Sequence, residues 1–205
     1  VMGARAYEVA PWLGVEWGRT RFERYVRGGG VLIVQYNKYE FAEQHMALLP
    51  ITMTRPHDRV TDETAAVRLL DPSHPILSWP NRLGAPDFEG WVQGRGVDFA
   101  HTWDDAYTPL LEMADPGQDP LRAGLLAARL GEGWYVYTGL ALFRQLPAGV
   151  PGAYRLLANL LALGGSGFGV MALLVAAERG FVPRKAVAER MLKIVRFLAK
   201  ADRFH

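Results

Sequence analysis

The sequence contains no cysteine, which removes disulfides, thiolate metal sites and a cysteine nucleophile from this chain. Its apolar runs, such as residues 170–177, are far shorter than the ~20 residues that a membrane-spanning helix needs. The G-x-S-x-G motif that places the nucleophile of many serine hydrolases is also missing. The sequence therefore predicts no membrane span and no thiol chemistry, and it leaves the redox compartment open.

The composition is that of a soluble globular protein. Half of the 205 residues are hydrophobic and 21% are charged, enough for one domain with a core or one domain plus a fragment. Residues 1–165 carry 15 Lys and Arg against 18 Asp and Glu, a net charge of −3. Residues 166–205 carry 8 against 3, a net charge of +5. The sign changes at a glycine-rich segment, so we expect an α/β domain over 1–164 and a separate helical unit over 165–205.

The α/β prediction depends on residues 24–40. Apolar spacing predicts a helix over Glu16–Arg27, and Gly28 is expected to supply the left-handed residue that ends it. The run at 31–34 is apolar at every position, as in a strand covered on both faces. Helix, glycine turn and buried strand form half of a doubly wound unit. In such sheets ligands bind beyond the carboxyl ends of the strands, and here that region begins at Gln35.

The rest of the chain alternates short apolar runs with proline-rich loops. A helix is predicted to begin near Pro151, and two helices at the end of the chain, 168–179 and one starting at Pro183, predict an αα-hairpin. Gly131, Glu132 and Gly133 predict a hairpin turn between the last two strands. The remaining strands are predicted at 48–54, 67–70, 91–100, 108–113, 124–130 and 134–138.

Two clusters have compositions that favour chemistry. Residues 55–59 place His57 beside Asp58 between two arginines, a combination that could ligate a metal or transfer protons. No second histidine follows at i+3 or i+4, so an ion-pair network that holds a loop is the favoured interpretation. Residues 87–91 and 103–105 combine carboxylates with aromatic rings, a mixture suited to carbohydrate. Aromatic core residues and loop caps are the favoured interpretation of this second cluster.

Cofactors and nucleic acid are not predicted. The triple glycine at 28–30 precedes its strand and no Walker lysine follows it, so neither it nor 131–133 is a nucleotide-binding motif. The basic face near the end of the chain lacks the interleaved aromatic residues that single-stranded nucleic acid uses, and a solvated helix face is favoured. That face comprises Lys185, Arg190, Lys193, Arg196, Lys200 and Arg203.

Four segments carry a resemblance to a known family. Residues 25–41 (YVRGGGVLIVQYNKYEF), 55–63 (RPHDRVTDE), 87–93 (DFEGWVQ) and 135–154 (YVYTGLALFRQLPAGVPGAY) resemble the class I glutamine amidotransferase-like domain that is appended to the deacetylase domain of some bacterial PIG-L (LmbE-type) proteins. The resemblance covers about 1–164. It implies a flavodoxin-like α/β sheet with antiparallel additions, whose first strands would lie upstream of Val1.

Two departures from these families bear on activity. The His-Pro-Asp-Asp-Glu zinc motif of PIG-L deacetylases is absent. The elbow that holds the nucleophilic cysteine of glutamine amidotransferases corresponds to residues 35–38, where neutral Tyr36 or Asn37 is not a competent nucleophile for acyl transfer. The resemblance therefore implies the scaffold without the catalysis and no cofactor or metal. If a ligand binds, the expected residues are Tyr36, Asn37, Tyr39, Glu40, Arg55, His57, Asp58, Arg59, Glu89 and Trp91.

The end of the chain resembles a different family. Residues 167–184 (GFGVMALLVAAERGFVPR) and 188–205 resemble an early helical hairpin of bacterial glucoamylase-like proteins, α/α barrels that act on glucans. No catalytic acid of that family can be placed in this segment. The chain would then join fragments of two families, as a natural fusion, a truncated gene product or an artificial fusion.

Two hypotheses follow. The chain is a non-catalytic accessory or carbohydrate-binding module of a PIG-L-type deacetylase protein, or it is a fragment of a carbohydrate-active enzyme, either a glycan deacetylase or a glucoamylase-like glycoside hydrolase. The sequence determines neither the ligand nor the oligomeric state. A periplasmic or secreted bacterial protein is favoured over a cytoplasmic one.

Overall fold

The computed structural model describes residues 1–164, 177–178 and 183–198 of a mixed α/β protein. Its helices are α1 (Ala6–Val9), α2 (Glu16–Arg27), α3 (Tyr39–Glu43), α4 (Pro75–Ser78), α5 (Leu142–Gln145), α6 (Pro151–Ala162) and α7 (Arg184–Leu198), with 3₁₀ turns at Pro11–Leu13 and Ala85–Phe88. Its strands are β1 (Val31–Gln35), β2 (Ile51–Thr52), β3 (Asp58–Val60), β4 (Val67–Leu69), β5 (Gly96–Phe99), β6 (Thr102–Trp103), β7 (Tyr107–Pro109), β8 (Leu111–Met113), β9 (Leu125–Leu130) and β10 (Gly133–Thr138).

The main sheet has four strands in the order β1-β10-β9-β7. β1 runs parallel to β10, whereas β10–β9 and β9–β7 are antiparallel. A bridge between Met2 and Val34 adds a second parallel contact at the outer edge of β1. Three antiparallel pairs, β2–β6, β3–β5 and β4–β8, complete the strands. The hairpin predicted at 131–133 is confirmed, because Leu130 and Gly133 pair across the β9–β10 turn.

The glycine turn before β1 is built differently from the prediction. Gly28 has an ordinary φ of −81°, and the left-handed residue is Gly29, with a φ of 103°. The N–H groups of Gly29 and Gly30 donate to the carbonyls of Val26 and Tyr25, which satisfies the end of α2. A Cβ at Gly133 would lie 2.0 Å from the carbonyl oxygen of Val26. Glycine at that position therefore lets β10 approach α2 closely.

Several predicted elements have different bounds. The helix over Glu16–Arg27 and the helix beginning at Pro151 are confirmed. The strand predicted at 91–100 is reduced to β5, because successive left-handed φ values of 57° at Gln93 and 94° at Gly94 interrupt the extended chain before it. The strand predicted at 48–54 is reduced to the two residues of β2. The strand predicted at 108–113 forms two separate strands, β7 and β8.

The end of the chain is described only in part. The first predicted arm of the αα-hairpin, 168–179, lies outside the described residues except for 177–178, and α7 is the second arm. Val187 of α7 is buried against Trp79 and Ala177, so this helix packs on the loop that follows α4. Over the described ranges, no helix combines the length and the apolar character required to cross a membrane.

Candidate functional site

The structure brings together three of the ten predicted residues. Tyr39 begins α3 just beyond the carboxyl end of β1, and Arg55 and His57 lie on the loop that leads into β3. The guanidinium carbon of Arg55 lies 4.2 Å from the centre of the Tyr39 ring. The ring of His57 stacks on Tyr39 at a centroid distance of 5.8 Å and an angle of 24°. These three side chains form a corner at the edge where ligands bind in open α/β sheets.

Two of the predicted residues are structural. Asn37 is 1% exposed, its Oδ1 accepts a hydrogen bond from the backbone N–H of Tyr7, and its Nδ2 donates to the carbonyl of Gln35. Trp91 is also buried, and its indole N–H donates to the carbonyl of Asp87. Each side chain is committed to holding the fold. Neither is exposed to contact a ligand, because polar groups inside a core are used to satisfy one another.

The other predicted residues are dispersed or peripheral. Tyr36 packs its half-buried ring on Phe143 at 5.1 Å. Arg59 and Glu89 are exposed, and Glu40 is exposed next to Tyr39 in α3. Asp58 pairs with His101.

The neighbours His57 and Asp58 do not act together. The Oδ2 of Asp58 lies 2.9 Å from Nδ1 of His101, whereas His57 turns towards Asp98 at 3.2 Å. Successive residues in extended chain point to opposite faces, which separates the two side chains. The hypothesis that they share a metal therefore has no geometric support. Within residues 1–164, 177–178 and 183–198, no group of three or more His, Asp or Glu side chains is arranged to hold a metal ion.

Asp98 is the residue that sequence reasoning missed. Its side chain is 3% exposed, and its Oδ1 is buried without a hydrogen-bond partner among the described residues. The contact with Nδ1 of His57 has the length of an ion pair, but the unpartnered Oδ1 shows that it lacks the direction of a hydrogen bond. Burial raises the pKa of Asp98, while His57 and Lys38 oppose that rise. A buried carboxylate with an oxygen that has no hydrogen-bond partner is costly, which makes Asp98 a candidate functional residue.

The backbone of Asp98 is also strained. Its φ of 52° lies in the left-handed region, which costs a non-glycine residue free energy. The hydroxyl of Tyr137 donates a 2.7 Å hydrogen bond to the Asp98 carbonyl and holds this conformation. A sequence signal did exist, because Asp98 is a charged residue inside the apolar strand Gly96–Phe99. Strained residues that surrounding structure holds in place cluster at functional sites.

One nitrogen of His57 has two competing neighbours. The hydroxyl of Tyr39 lies 3.2 Å from Nδ1, and Oδ1 of Asp98 lies 3.2 Å from the same atom. In the neutral ring with a proton on Nδ1, that proton lies near Asp98 without forming an aligned hydrogen bond to Oδ1. In the other tautomer Nδ1 accepts from Tyr39 and gives nothing to the carboxylate. In this conformation the imidazole therefore contacts both neighbours, and Oδ1 of Asp98 keeps no aligned donor.

The surface at this corner is shallow. A concavity of about 20 Å³ adjoins Asn37, Lys38 and Glu40, room for about one water molecule, and Arg55, His57 and Asp98 do not line it. Larger grooves lie elsewhere. A polar groove of about 360 Å³ runs beside α2, and an apolar groove of about 510 Å³ lies between β1 and α6. A ligand at the predicted corner would therefore bind on an open surface or displace a side chain.

Comparisons with known proteins give one short sequence match and one distant structural match. No family model matches the chain. A stretch of 47 residues, 23% of this chain, is 51% identical to an exo beta-1,2-glucooligosaccharide sophorohydrolase (non-reducing end) of Parabacteroides distasonis, and the match spans 6% of that protein. The solved structure of the cytoplasmic protein STM3548 from Salmonella typhimurium aligns with a TM-score of 0.45 and 16% identity, over 75% of this chain and 63% of that one. The chain thus spans less than two thirds of either relative.

Proposed function

We propose that this chain is a non-catalytic saccharide-binding module, accessory to a deacetylase of the PIG-L type. The observation that carries the proposal is Asp98, a buried and strained carboxylate with an unused oxygen behind His57 and Tyr39. Saccharides present many hydroxyl donors, and planar polar side chains beside an aromatic ring are suited to them. Arg55 adds a donor at the exposed rim of this corner. Glu40, the exposed neighbour of Tyr39 in α3, adds an acceptor outside it.

The absence of catalysis is part of the proposal. At the end of β1, where an amidotransferase would hold a cysteine, the chain has Tyr36 and Asn37, and the amide of Asn37 is hydrogen-bonded to the backbone of Tyr7 and Gln35. A neutral amide is not a nucleophile for acyl transfer. We expect the module to bind without turnover.

The proposal also includes a specific fold, a flavodoxin-like domain followed by an αα-hairpin. A flavodoxin-like arrangement over 1–164 is supported by the parallel pairing of β1 with β10 and by α2, which packs on both strands. The antiparallel strands β9 and β7 would be additions to that sheet. The αα-hairpin over 165–205 is supported by α7 alone.

The test is a binding assay beside activity assays. Titrations with a panel of gluco-oligosaccharides, followed by calorimetry and by backbone amide NMR, should show saturable binding with shifts centred on Tyr39, His57 and Asp98. Parallel assays of hydrolysis and deacetylation should show no product. The variant Asp98→Asn should weaken binding, and Asp58→Asn, which alters the other aspartate, should not. Absence of binding across the panel would remove the proposal.

A second candidate function has one specific observation in its favour. The 47-residue match to a sophorohydrolase favours a fragment of a glycoside hydrolase. Such an enzyme needs two carboxylates facing across a cleft, about 5–5.5 Å apart for retention or about 6.5–9.5 Å for inversion. Incubation with β-1,2-glucooligosaccharides discriminates between the candidates, because product release would favour the hydrolase and bound but intact oligosaccharide would favour the module.

A further inference from the structure

A group of exposed apolar side chains lies at the start of α2. Four of the eight large hydrophobic side chains that are exposed among the described residues fall within nine positions, at Val9, Trp12, Val15 and Trp17. Each of these four residues is more than half exposed. Single exposed apolar residues are ordinary on a protein surface, whereas a group of them marks an interaction surface.

The two indoles of this group are held side by side on a closely packed backbone. The rings of Trp12 and Trp17 lie edge to face, with centroids 6.2 Å apart and planes at 61°. The 3₁₀ turn that carries Trp12 lies directly on α2, since a Cβ at Gly18 would lie 2.7 Å from the carbonyl oxygen of Trp12. Gly14, which ends this turn, packs against the buried side chain of Met46. The fold therefore fixes the backbone that presents both rings to solvent.

Two arginines border the indoles. The guanidinium carbon of Arg21 lies 4.0 Å from the centre of the Trp17 ring. Arg24 is exposed and follows Trp17 by nearly two full turns of α2, so both residues are on the same side of the helix. Within the described residues, no carboxylate lies within 4.0 Å of either guanidinium group. We call Trp12, Val15, Trp17, Arg21 and Arg24 the tryptophan face.

The charge of α2 is opposite to that of the domain. The helix carries four arginines and two glutamates, a net charge of +2, whereas residues 1–165 together carry −3. Glu23 is paired with Arg27, and Glu16 lies in the first turn, where a carboxylate also interacts with the helix dipole. The tryptophan face is therefore a positive surface on a negative domain, which is complementary to an anionic partner.

The geometry of the rings disfavours a ligand that stacks. A sugar or a base stacks on an open aromatic face, but Arg21 covers one face of Trp17, and the two indole planes meet at 61° and form no common platform. Val15 adds apolar area without a ring. Indoles, an aliphatic side chain and arginines are together suited to the interface of a lipid bilayer, where indoles lie at the level of the headgroups and arginines meet anionic lipids.

We propose that the tryptophan face docks this protein peripherally on an anionic lipid bilayer. Trp12, Val15 and Trp17 enter the interface, and Arg21 and Arg24 pair with lipid phosphates. A guanidinium group binds phosphate through two parallel hydrogen bonds, and its aliphatic stem stays in apolar surroundings while the charge reaches the headgroups. This docking is independent of the proposed saccharide site, so the failure of either leaves the other intact.

The test uses vesicles of two compositions. The full chain is mixed with vesicles of phosphatidylcholine alone or of equal parts phosphatidylcholine and phosphatidylglycerol, and sedimentation of the vesicles measures the bound fraction. We expect about tenfold tighter binding to the anionic vesicles, because each arginine near an anionic surface contributes roughly a factor of five and Glu16 opposes part of that gain. Tryptophan emission should move to shorter wavelength on binding, since the exposed indoles leave water. Added salt should weaken the binding.

Variants assign the binding to the tryptophan face. Trp12→Ala and Trp17→Ala should each weaken binding to both kinds of vesicle about fivefold and reduce the change in emission, because apolar area is lost. Arg21→Gln and Arg24→Gln should each weaken binding to the anionic vesicles about fivefold and leave binding to the neutral vesicles unchanged.

Two matched controls change residues outside the tryptophan face. Tyr154→Ala removes an exposed aromatic ring of α6, and Arg82→Gln removes an exposed arginine. Both variants should bind vesicles as the parent protein does. Thermal unfolding followed by circular dichroism confirms that each variant is folded.

Four results would overturn the inference. The first is that neither kind of vesicle binds the protein. The second is that Arg82→Gln weakens anionic binding as much as Arg21→Gln, which would make the attraction a general effect of charge. The third is a change in emission with a gluco-oligosaccharide, in the absence of lipid, that Trp17→Ala abolishes. The fourth is self-association in analytical ultracentrifugation that Trp12→Ala abolishes, which would make a second copy of the chain the occupant of this face.

Discussion

Two histidine–aspartate pairs lie next to one another in this protein, and only one of them has the properties of a site. The pair between His101 and Asp58 is short, at 2.9 Å, but the imidazole is 55% exposed and the carboxylate 22% exposed. The pair between His57 and Asp98 is longer, at 3.2 Å, and its carboxylate is almost completely buried. Both members of the first pair are partly exposed to solvent, whereas the carboxylate of the second pair is enclosed by the fold.

The difference shows that environment decides what a pair of residues can do. Water competes for an exposed ion pair and leaves it a small net stabilisation. A buried carboxylate with an unpartnered oxygen carries an uncompensated desolvation free energy. A ligand that donates a hydrogen bond to this oxygen would offset that free energy and bind more tightly. The strained φ of Asp98 and its bond from Tyr137 belong to the buried pair alone.

The largest expected effect comes from Gly96→Ala, which would disturb both pairs. A Cβ at Gly96 would lie 2.4 Å from the carbonyl oxygen of Gly139, a backbone atom that cannot move aside easily. The change should separate β5 from its neighbours and lower the free energy of unfolding by about 3 kcal/mol, as measured by urea denaturation. Gly3→Ala is the control, since nothing lies within 4 Å of the position that its methyl group would occupy. Equal effects for the two variants would contradict the role of close approach at Gly96.

The second-largest effect is expected for Tyr137→Phe, which should affect the buried pair and leave the exposed pair unchanged. Tyr137→Phe removes the donor that holds the Asp98 carbonyl in the core, and it should cost roughly 2 kcal/mol because a buried acceptor is left unsatisfied. Tyr154→Phe is the matched control, because its hydroxyl also makes a 2.7 Å bond to a carbonyl but at the surface. We expect the free energy of unfolding of the control to fall by less than about 0.5 kcal/mol in the same denaturation assay. NMR shifts should change at Asp98 and remain unchanged at His101.

Asp98→Asn should increase stability while it weakens ligand binding. The substitution removes a buried charge, and asparagine tolerates the left-handed region well. We expect a gain of roughly 1 kcal/mol at neutral pH. Asp58→Asn should stay within about 0.5 kcal/mol of the parent, because its pair is exposed. A loss of stability in Asp98→Asn would indicate that this carboxylate holds the fold and is not reserved for a ligand.

The gain in stability of the Asp98→Asn variant should depend on pH. The pKa of Asp98 is raised in the folded protein above its unfolded value of about 3.9. Folding therefore carries a cost that is fully present above the folded pKa and disappears as the pH falls through it towards the unfolded value. The difference in unfolding temperature between Asp98→Asn and the parent should narrow on acidification. A difference that stays constant would assign the gain to backbone conformation alone.

The smallest effect is expected for His101→Gln. This change breaks the exposed pair with Asp58, and the loss should be at most about 0.5 kcal/mol in the free energy of unfolding. High salt should abolish that loss. A loss as large as that of Tyr137→Phe would remove the distinction between the two pairs.

The sequence predicted the local elements well. The helix over Glu16–Arg27, the strand at β1, the β9–β10 hairpin and the start of α6 at Pro151 all follow from apolar period and turn residues within a few positions. Ligand binding at Tyr39, Arg55 and His57 stays a prediction, but the structure does place them together. Sequence reasoning failed at Asn37 and Trp91, where a polar or aromatic residue is used inside the core.

What the sequence determined by itself is the set of elements around β1 and the absence of a cysteine at its end. Periodicity, glycine turns and the absence of cysteine are local facts, and they need no knowledge of distant residues. The tertiary structure alone decided that His57 faces Asp98 and not its neighbour Asp58. That choice depends on the pairing of β3 with β5 and on the left-handed backbone at Asp98, because only the packed fold can bury a carboxylate and hold it in a strained conformation.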